Sequence, residues 1–183
     1  MERSPSAFVQ ECLPLLPGGQ ALDVAAGTGR HALYLASHGL TVHAIDQSAE
    51  ALEAIKAAAR THQQKTISIQ VMDLETDPLQ PPGLGVNSYD IVLVTLYLYR
   101  PLFPNLIKAI RPGGLLLYET FLVENYDRYK RPRGRHFCLE SKELLQLTEG
   151  MEVLRYEEGE RTGSRPGNRA ITARLLARKV SLE

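Results

Sequence analysis

Three acidic residues each end an apolar run, and together they could hold one ligand. Asp23 and Val24 lead into Ala25-Ala26-Gly27-Thr28-Gly29, small residues between the run Gln20 to Val24 and an amphipathic run opening at Arg30. Asp46 closes the run Leu40 to Ile45, and Asp73-Leu74 closes Ile67 to Met72. Gly27 and Gly29 can take backbone angles closed to other residues and let a ligand approach the main chain. A helix opening at Arg30 adds unpaired N–H groups and a positive dipole end. Such a loop holds a nucleotide-like ligand.

Two ligands compete for it. Gly27-Thr28-Gly29-Arg30-His31-Ala32 fits the G-x-G-x-x-G/A dinucleotide pattern, so an NAD(P)-linked oxidoreductase or a nucleotide-binding protein is one reading. Asp23 argues for the other. A carboxylate there repels a pyrophosphate and attracts the ammonium and sulfonium of S-adenosylmethionine (SAM). Asp46, followed by Gln47, stands where an acid accepts from both ribose hydroxyls, which suits either ligand. Asp73 can accept from an adenine amino group while Leu74 packs on the ring. Ligands of open parallel sheets bind at the carboxyl ends of strands, so three strands ending in Asp form a coherent set. Taken singly, each Asp also reads as a solvated turn or a helix cap.

These motifs, with Arg111-Pro112-Gly113-Gly114 ahead of a fifth strand, resemble class I SAM-dependent methyltransferases over residues from about 20 to 120. Gly27 to Ala36 and Tyr99-Arg100-Pro101-Leu102-Phe103 are similar to small bacterial tellurite-resistance-type methyltransferases. The resemblance implies SAM as cofactor and S-adenosylhomocysteine (SAH) as product. It places Ala25, Ala26, Gly27 and Gly29 in the cofactor loop and Thr95 at the end of the fourth strand. It also favours Arg30 as a partner of the SAM carboxylate, since a cation at a helix N-terminus is otherwise disfavoured. The usual first glycine of the loop is Ala25 here, which must then avoid a left-handed backbone.

The elements that position these residues alternate. A leading helix is expected over Ser4 to Leu16, capped at Ser4-Pro5, within residues 1–18. The helix from Arg30 stops at Gly39, and Ser48 caps a helix holding Leu52, Ile55 and Ala59 on one face. Asp77 to Asn87 reads as a loop, and Ile91-Val92-Leu93-Val94 as a central strand buried on both sides. A helix over Pro104 to Ile110, a strand over Leu115 to Phe121 and a helix over Lys142 to Thr148, capped by Ser141, follow. Met151 to Glu157 and Arg169 to Arg178 close the chain as a strand pair around a Gly/Pro/Arg-rich loop. Alternating strands and helices predict one α/β domain over residues 1–183, a three-layer sandwich. The family resemblance adds a Rossmann-like, mostly parallel sheet with one antiparallel strand near the C-terminus.

Methyl transfer needs a nucleophile aligned with the methyl carbon, and a base only if the acceptor is protonated. Candidates lie beyond the fourth and fifth strands. Tyr97 and Tyr99 could present their rings to the sulfonium, and strand alternation would put both on one side; otherwise they are packing residues. Arg100 could hold an anionic substrate or pair with Glu119 or another acid. His31 reads as a packing or surface residue. Six basic groups lie between Arg128 and His136, with Tyr126, Arg131 and Arg133 among the residues that could touch substrate. This segment, within residues 122–140, reads as a lid over the acceptor, as an RNA or protein contact, or as a solvated loop. Glu119, Tyr126 and His136 are the possible bases. The Asn or Asp-Pro-Pro-Tyr/Phe pattern of nucleobase and glutamine methyltransferases is not found after the fourth strand.

Composition sets outer bounds. Lys plus Arg equals Asp plus Glu at 21 each, so no global field draws the chain to nucleic acid or membrane. The longest apolar run, Ile91 to Tyr99, is too short to span a bilayer. The opening residues lack a basic start before an apolar stretch, so no signal peptide is expected. Cys12 and Cys138 match no metal or redox spacing, so no metal is expected and a cytoplasmic setting with reduced thiols is. The expected partner is a small-molecule methyl acceptor, for a chiefly small, anionic or soft (S, Se, Te or O) nucleophile, on a monomer or dimer.

Overall fold

The computed structural model describes residues 4–62, 66–162 and 169–180. The sheet forms where apolar side chains alternate or run continuously: β1 (Gln20–Val24), β2 (Thr41–Asp46), β3 (Ile67–Val71), β4 (Tyr89–Thr95), β5 (Ile110–Phe121), β6 (Met151–Thr162) and β7 (Arg169–Lys179). Their order is β3-β2-β1-β4-β5-β7-β6. Among these strands β7 alone is reversed, antiparallel to both β5 and β6. The mostly parallel sheet with one antiparallel strand is therefore as expected. The loop between β6 and β7, residues 163–168, lies outside the described residues.

Alternation sends successive side chains to opposite faces. On one face Leu22, Val94, Leu116 and Tyr118 pack with Phe103 and Leu106 of α4 (Phe103–Ala109). On the other, Ala21, Leu93, Leu115 and Leu117 pack with α1 (Ala7–Cys12), α2 (Arg30–Ser37) and α3 (Ala49–Thr61) through Phe8, Leu35, Leu52 and Ile55. The result is three layers. Ile91 to Val94 are covered on both faces, which is why this strand is a continuous apolar run.

Local chemistry shifts several expected boundaries. The leading helix ends at Cys12 and passes into a 3₁₀ turn, Leu13–Leu15, because Pro14 has no N–H to continue the helical ladder. Its cap is Ser6, whose hydroxyl accepts from the Val9 N–H at 3.2 Å, rather than Ser4. β5 begins at Ile110, so Arg111 to Gly114 lie within the strand; a Cβ on Gly114 would meet the Asp90 carbonyl at 2.8 Å. Ser141 caps nothing. Its hydroxyl donates to Glu158, and α6 (Glu143–Leu147) is entered through a left-handed Lys142. The basic segment opens as a helix, α5 (Val123–Tyr129), and closes in a 3₁₀ turn, Arg135–Phe137. Among the described residues no helix is long and apolar enough to cross a membrane.

Candidate active site

The loop after β1 is shaped by three left-handed residues. Gly27 and Gly29 have φ of 54° and 77°, and a Cβ on Gly29 would sit 2.5 Å from the Ile55 side chain of α3. Glycine at 29 is thus required by both backbone and packing. Ala25 also lies at φ 54°, contrary to the expectation that alanine would stay out of that region. Left-handed backbone costs a non-glycine residue about 1–2 kcal/mol. The loop accepts that cost because its neighbours fix it: the Ala26 N–H donates to the Ile45 carbonyl at 3.0 Å, and the Gly27 N–H to Asp46 Oδ2 at 2.8 Å.

Asp46 anchors two segments at once, since its Oδ1 accepts the Ser48 N–H at 2.8 Å at the start of α3. Each oxygen retains a second lone pair. The carboxylate faces a crevice of about 210 Å³, lined by Ala25, Asp46, Gln47, Met72, Asp73, Leu74, Glu75, Thr95, Leu96 and Tyr97. Three of these described residues are carboxylates and none is Lys or Arg. Asp73 Oδ1 accepts the Glu75 N–H at 2.9 Å, and Leu74 is buried beside it. Acceptors with an apolar wall suit a nucleoside rich in donors and a sulfonium, and they oppose a pyrophosphate.

Asp23 is placed differently from its expected role. It is 1% exposed, on the face of β1 covered by α2, and lines neither this crevice nor the cavity described next. Burial pushes its carboxyl up to about 7, against the Ala32 N–H and the Arg30 charge that favour ionisation. Its Oδ2 has no hydrogen-bond partner. His31, one helical step into α2, is also buried. Its Nε2 accepts the Ser6 N–H at 3.1 Å, and its Nδ1 meets the Thr95 hydroxyl at 3.1 Å. Accepting at Nε2 places the proton on Nδ1. Burial, then the Arg30 charge, hold the ring near a pKa of about 3, so it is neutral. It ties the leading segment to the end of β4, a link between elements of the kind expected of a packing histidine.

A second cavity of about 500 Å³ adjoins the crevice, and Leu96 lines both. Leu96 is left-handed at φ 56° and 43% exposed, its N–H held by the Glu119 carbonyl at 2.7 Å. The cavity wall comprises Ser4 to Ala7 and Gln10 of the leading segment, Arg30, and the sheet residues Glu119, Phe121, Arg161, Thr162, Ala170, Thr172 and Arg174. Register explains the grouping: Thr95 pairs with Glu119 and Glu119 with Arg174, so all three share one face of the sheet. Arg174 Nε donates to Glu119 Oε1 at 2.9 Å, and both side chains are under one-tenth exposed. The guanidinium also lies over the Phe8 ring at 5.8 Å. Arg161, Thr172, Arg174 and Leu96 carry no sequence signal that singles them out. Alternation along β7 is legible, but its pairing with Glu119 requires the topology.

Of the other sequence candidates, Tyr97 alone lines one of these cavities. Arg100 is committed to the protein. Its fork engages both oxygens of Glu143 and donates to the His136 and Cys138 carbonyls at 2.9 Å each, so its partner is Glu143 and not Glu119. β4 ends at Thr95, so strand alternation does not govern the two tyrosines. Tyr97 lines the crevice, where burial and then the Glu75 carboxylate raise its phenol well above the ordinary range; Tyr99 does not line it. Tyr126, Arg131, Arg133 and His136 line neither cavity. The basic segment is pinned to β7 instead: Asn125, 1% exposed, donates to the Arg131 carbonyl at 2.6 Å and accepts the Ile171 N–H at 2.8 Å. Arg128 pairs with Glu160 at 3.1 Å and Arg135 with Asp127 at 2.8 Å, and Lys130 lies 5.4 Å from the centre of the Tyr126 ring. Two of the six basic groups, Arg128 and Arg135, are thus answered by acids of the same molecule.

A family model described as a methyltransferase domain matches residues 21–114. Hemagglutinin 1 of Eikenella corrodens is 27% identical over 160 residues, 82% of this chain and 49% of that protein. The chain thus spans about half the length of that curated relative. TehB from Haemophilus influenzae superposes with a TM-score of 0.80 at 21% identity, over 96% of this chain and 62% of that one. SAM-dependent methyltransferases from Methanosarcina mazei and Mesorhizobium loti superpose with TM-scores of 0.74 and 0.73 at 19% and 21% identity. These cover 98% and 95% of this chain and 100% and 98% of theirs. The structural matches share the fold, and the family model covers just over half of the chain. With the motifs of β2 and β3 in place around an acidic crevice, the chain belongs to the methyltransferase-domain family.

Proposed function

We propose that this enzyme methylates a small, anionic or soft nucleophile held in the cavity at Glu119. The supporting observation is the junction at Leu96, where a crevice lined by Asp46, Asp73 and Glu75 meets a cavity lined by Arg30, Arg161 and Arg174. Opposite charge on the two sides suits a cationic donor in one and an anionic acceptor in the other. Bound SAM supplies an electrophilic methyl group on a sulfonium. In this assignment Asp46 accepts from the ribose hydroxyls, Asp73 from the adenine amino group, and Leu74 packs on the ring. Ala25, Ala26, Gly27 and Gly29 bring main chain close to the donor, and Gln47 and Thr95 border it. Arg30 takes the donor's carboxylate. Holding the two reactants in line contributes several kcal/mol, on the order of 7–11 at best. Glu119 Oε2, buried and unpartnered, is the candidate base for a protonated acceptor. The internal pairing of Arg128 and Arg135 in the basic segment supports a small acceptor over RNA or protein.

Thermal denaturation with SAM, SAH and NAD(P) tests the donor, because a ligand bound only to the native state raises stability by mass action. The expected result is a rise in Tm with SAM and SAH and none with NAD(P). Stabilisation by NAD(P) alone would overturn the reading.

A further inference from the structure

The floor of the cavity carries two polar atoms without partners. Glu119 Oε2 and Thr172 Oγ1 belong to side chains 5% and 3% exposed, and neither atom makes a hydrogen bond. A buried polar group left unmet is costly, so a ligand that meets both is favoured over one that meets neither. The two atoms ask for different things. A carboxylate oxygen accepts only, whereas a hydroxyl can donate to an anion. Glu119 Oε1 is already taken by Arg174, so the remaining demand is for one donor at Oε2.

Register sets their separation. β5 and β7 pair Glu119 with Arg174 and Phe121 with Thr172, so Glu119 and Thr172 are diagonal neighbours on one face, about 7–8 Å apart. β6 sets Gly159 opposite Thr172. The Arg161 guanidinium folds across Gly159 to meet Glu157, its Nη2 3.1 Å from Oε2 and its Nη1 3.7 Å from where a Cβ on residue 159 would stand. A hydroxyl and a cation thus stand together one diagonal step from an oxygen that needs a donor. A bare oxyanion would satisfy Thr172 and Arg161 and be repelled at Glu119. A neutral molecule would satisfy Glu119 but bring no anion to the Thr172 hydroxyl or to Arg161, whose guanidinium is shared with Glu157 at 3.1 Å and the Glu160 carbonyl at 3.2 Å.

We infer that the methyl acceptor is a short organic acid carrying a second, protonated nucleophile, with its carboxylate at Arg161 and Thr172 and its X–H (thiol, hydroxyl or amine) at Glu119 Oε2. This rests on the methyltransferase reading of the site. The X lone pair forms the bond to the methyl carbon as the carbon–sulfur bond breaks, the electron pair stays on sulfur, and the X–H proton passes to Glu119 Oε2. No further reactant is needed.

The test compares 3-mercaptopropionate, 3-hydroxypropionate and β-alanine with 1-propanethiol, 1-propanol and propylamine, and with selenite as a bare oxyanion. Rates are measured with radiolabelled SAM, SAH affinity by calorimetry, and binding of the product 3-(methylthio)propionate by the Tm of the SAH complex. At least one acid should exceed its uncharged counterpart by about tenfold in kcat/KM, and Arg161→Gln and Thr172→Val should each erase about tenfold through KM with kcat held. SAH affinity should stay within about twofold in both, and the product should raise Tm in the wild type but not in Arg161→Gln. Arg161 is half exposed, so this variant folds even if Glu119→Gln, which strands a buried arginine, does not. Acceptance of none of the acids, equal or better use of the uncharged compounds or selenite, or an acid preference that survives Arg161→Gln overturns the inference alone. Failure of the wild type to bind SAH overturns the methyltransferase reading as well.

Discussion

Asp46 shows how much one carboxylate can carry. It accepts the Gly27 and Ser48 N–H groups at 2.8 Å each, so it holds the glycine loop to the start of α3 while its free lone pairs face the crevice. Asp46→Ala should weaken SAH binding by about 1–3 kcal/mol through lost ribose hydrogen bonds and a loosened loop. Calorimetry showing unchanged affinity would remove Asp46 from the site. Residue type and spacing are enough to make Asp46, Asp73 and Leu74 legible in the sequence. Asp23 is legible as an acid but not in direction: it shares the face of Ala21 on β1 and so meets α2, where burial decides its chemistry. Ala25 departs from expectation because hydrogen bonds made by the two residues after it outweigh its backbone preference.

At the scale of elements, strands and helices follow from hydrophobic period, while their ends follow from single residues. Pro14 cuts the leading helix, and the segment after β5 coils because Val123 and Asn125 face inward while its charges face out. Those charges resemble a lid in the sequence because their partners are distant along the chain: Glu160 lies 32 residues from Arg128. Asn125 fastens this segment to β7 by accepting the Ile171 N–H, and closes the segment on itself by donating to the Arg131 carbonyl. Asn125→Leu should lower stability by about 1–3 kcal/mol, since it strands the buried Ile171 N–H, with SAH affinity unchanged. Urea denaturation alongside calorimetry checks both halves, and a variant as stable as wild type would show the fastening to be dispensable.

At the scale of the whole molecule, two buried groups, Asp23 of β1 and His31 of α2, give stability opposite dependences on pH. Asp23 is raised from 3.8 to about 7, so the native state holds this proton more tightly than the unfolded chain. Its contribution is full below pH 3.8 and is lost as pH rises through 7. His31 is lowered from 6.5 to about 3, so its contribution is full above 6.5 and is lost as pH falls toward 3. Between these limits the two slopes oppose. Asp23→Asn removes one of them, and between pH 6.5 and 4 the variant should lose stability relative to wild type by up to about 1.4 kcal/mol per unit of acidification. Parallel urea-midpoint profiles for the two proteins would contradict this assignment of protons. The reversed strand β7 has a consequence of another kind. It delivers its opening residues to the same end of the sheet at which its neighbours finish, so the pieces that would choose a substrate come from a stretch of polypeptide separate from those that would grip the donor. Changing the final hairpin could therefore redirect what is modified while leaving the source of the methyl group untouched, a division of labour between successive stretches of the polypeptide.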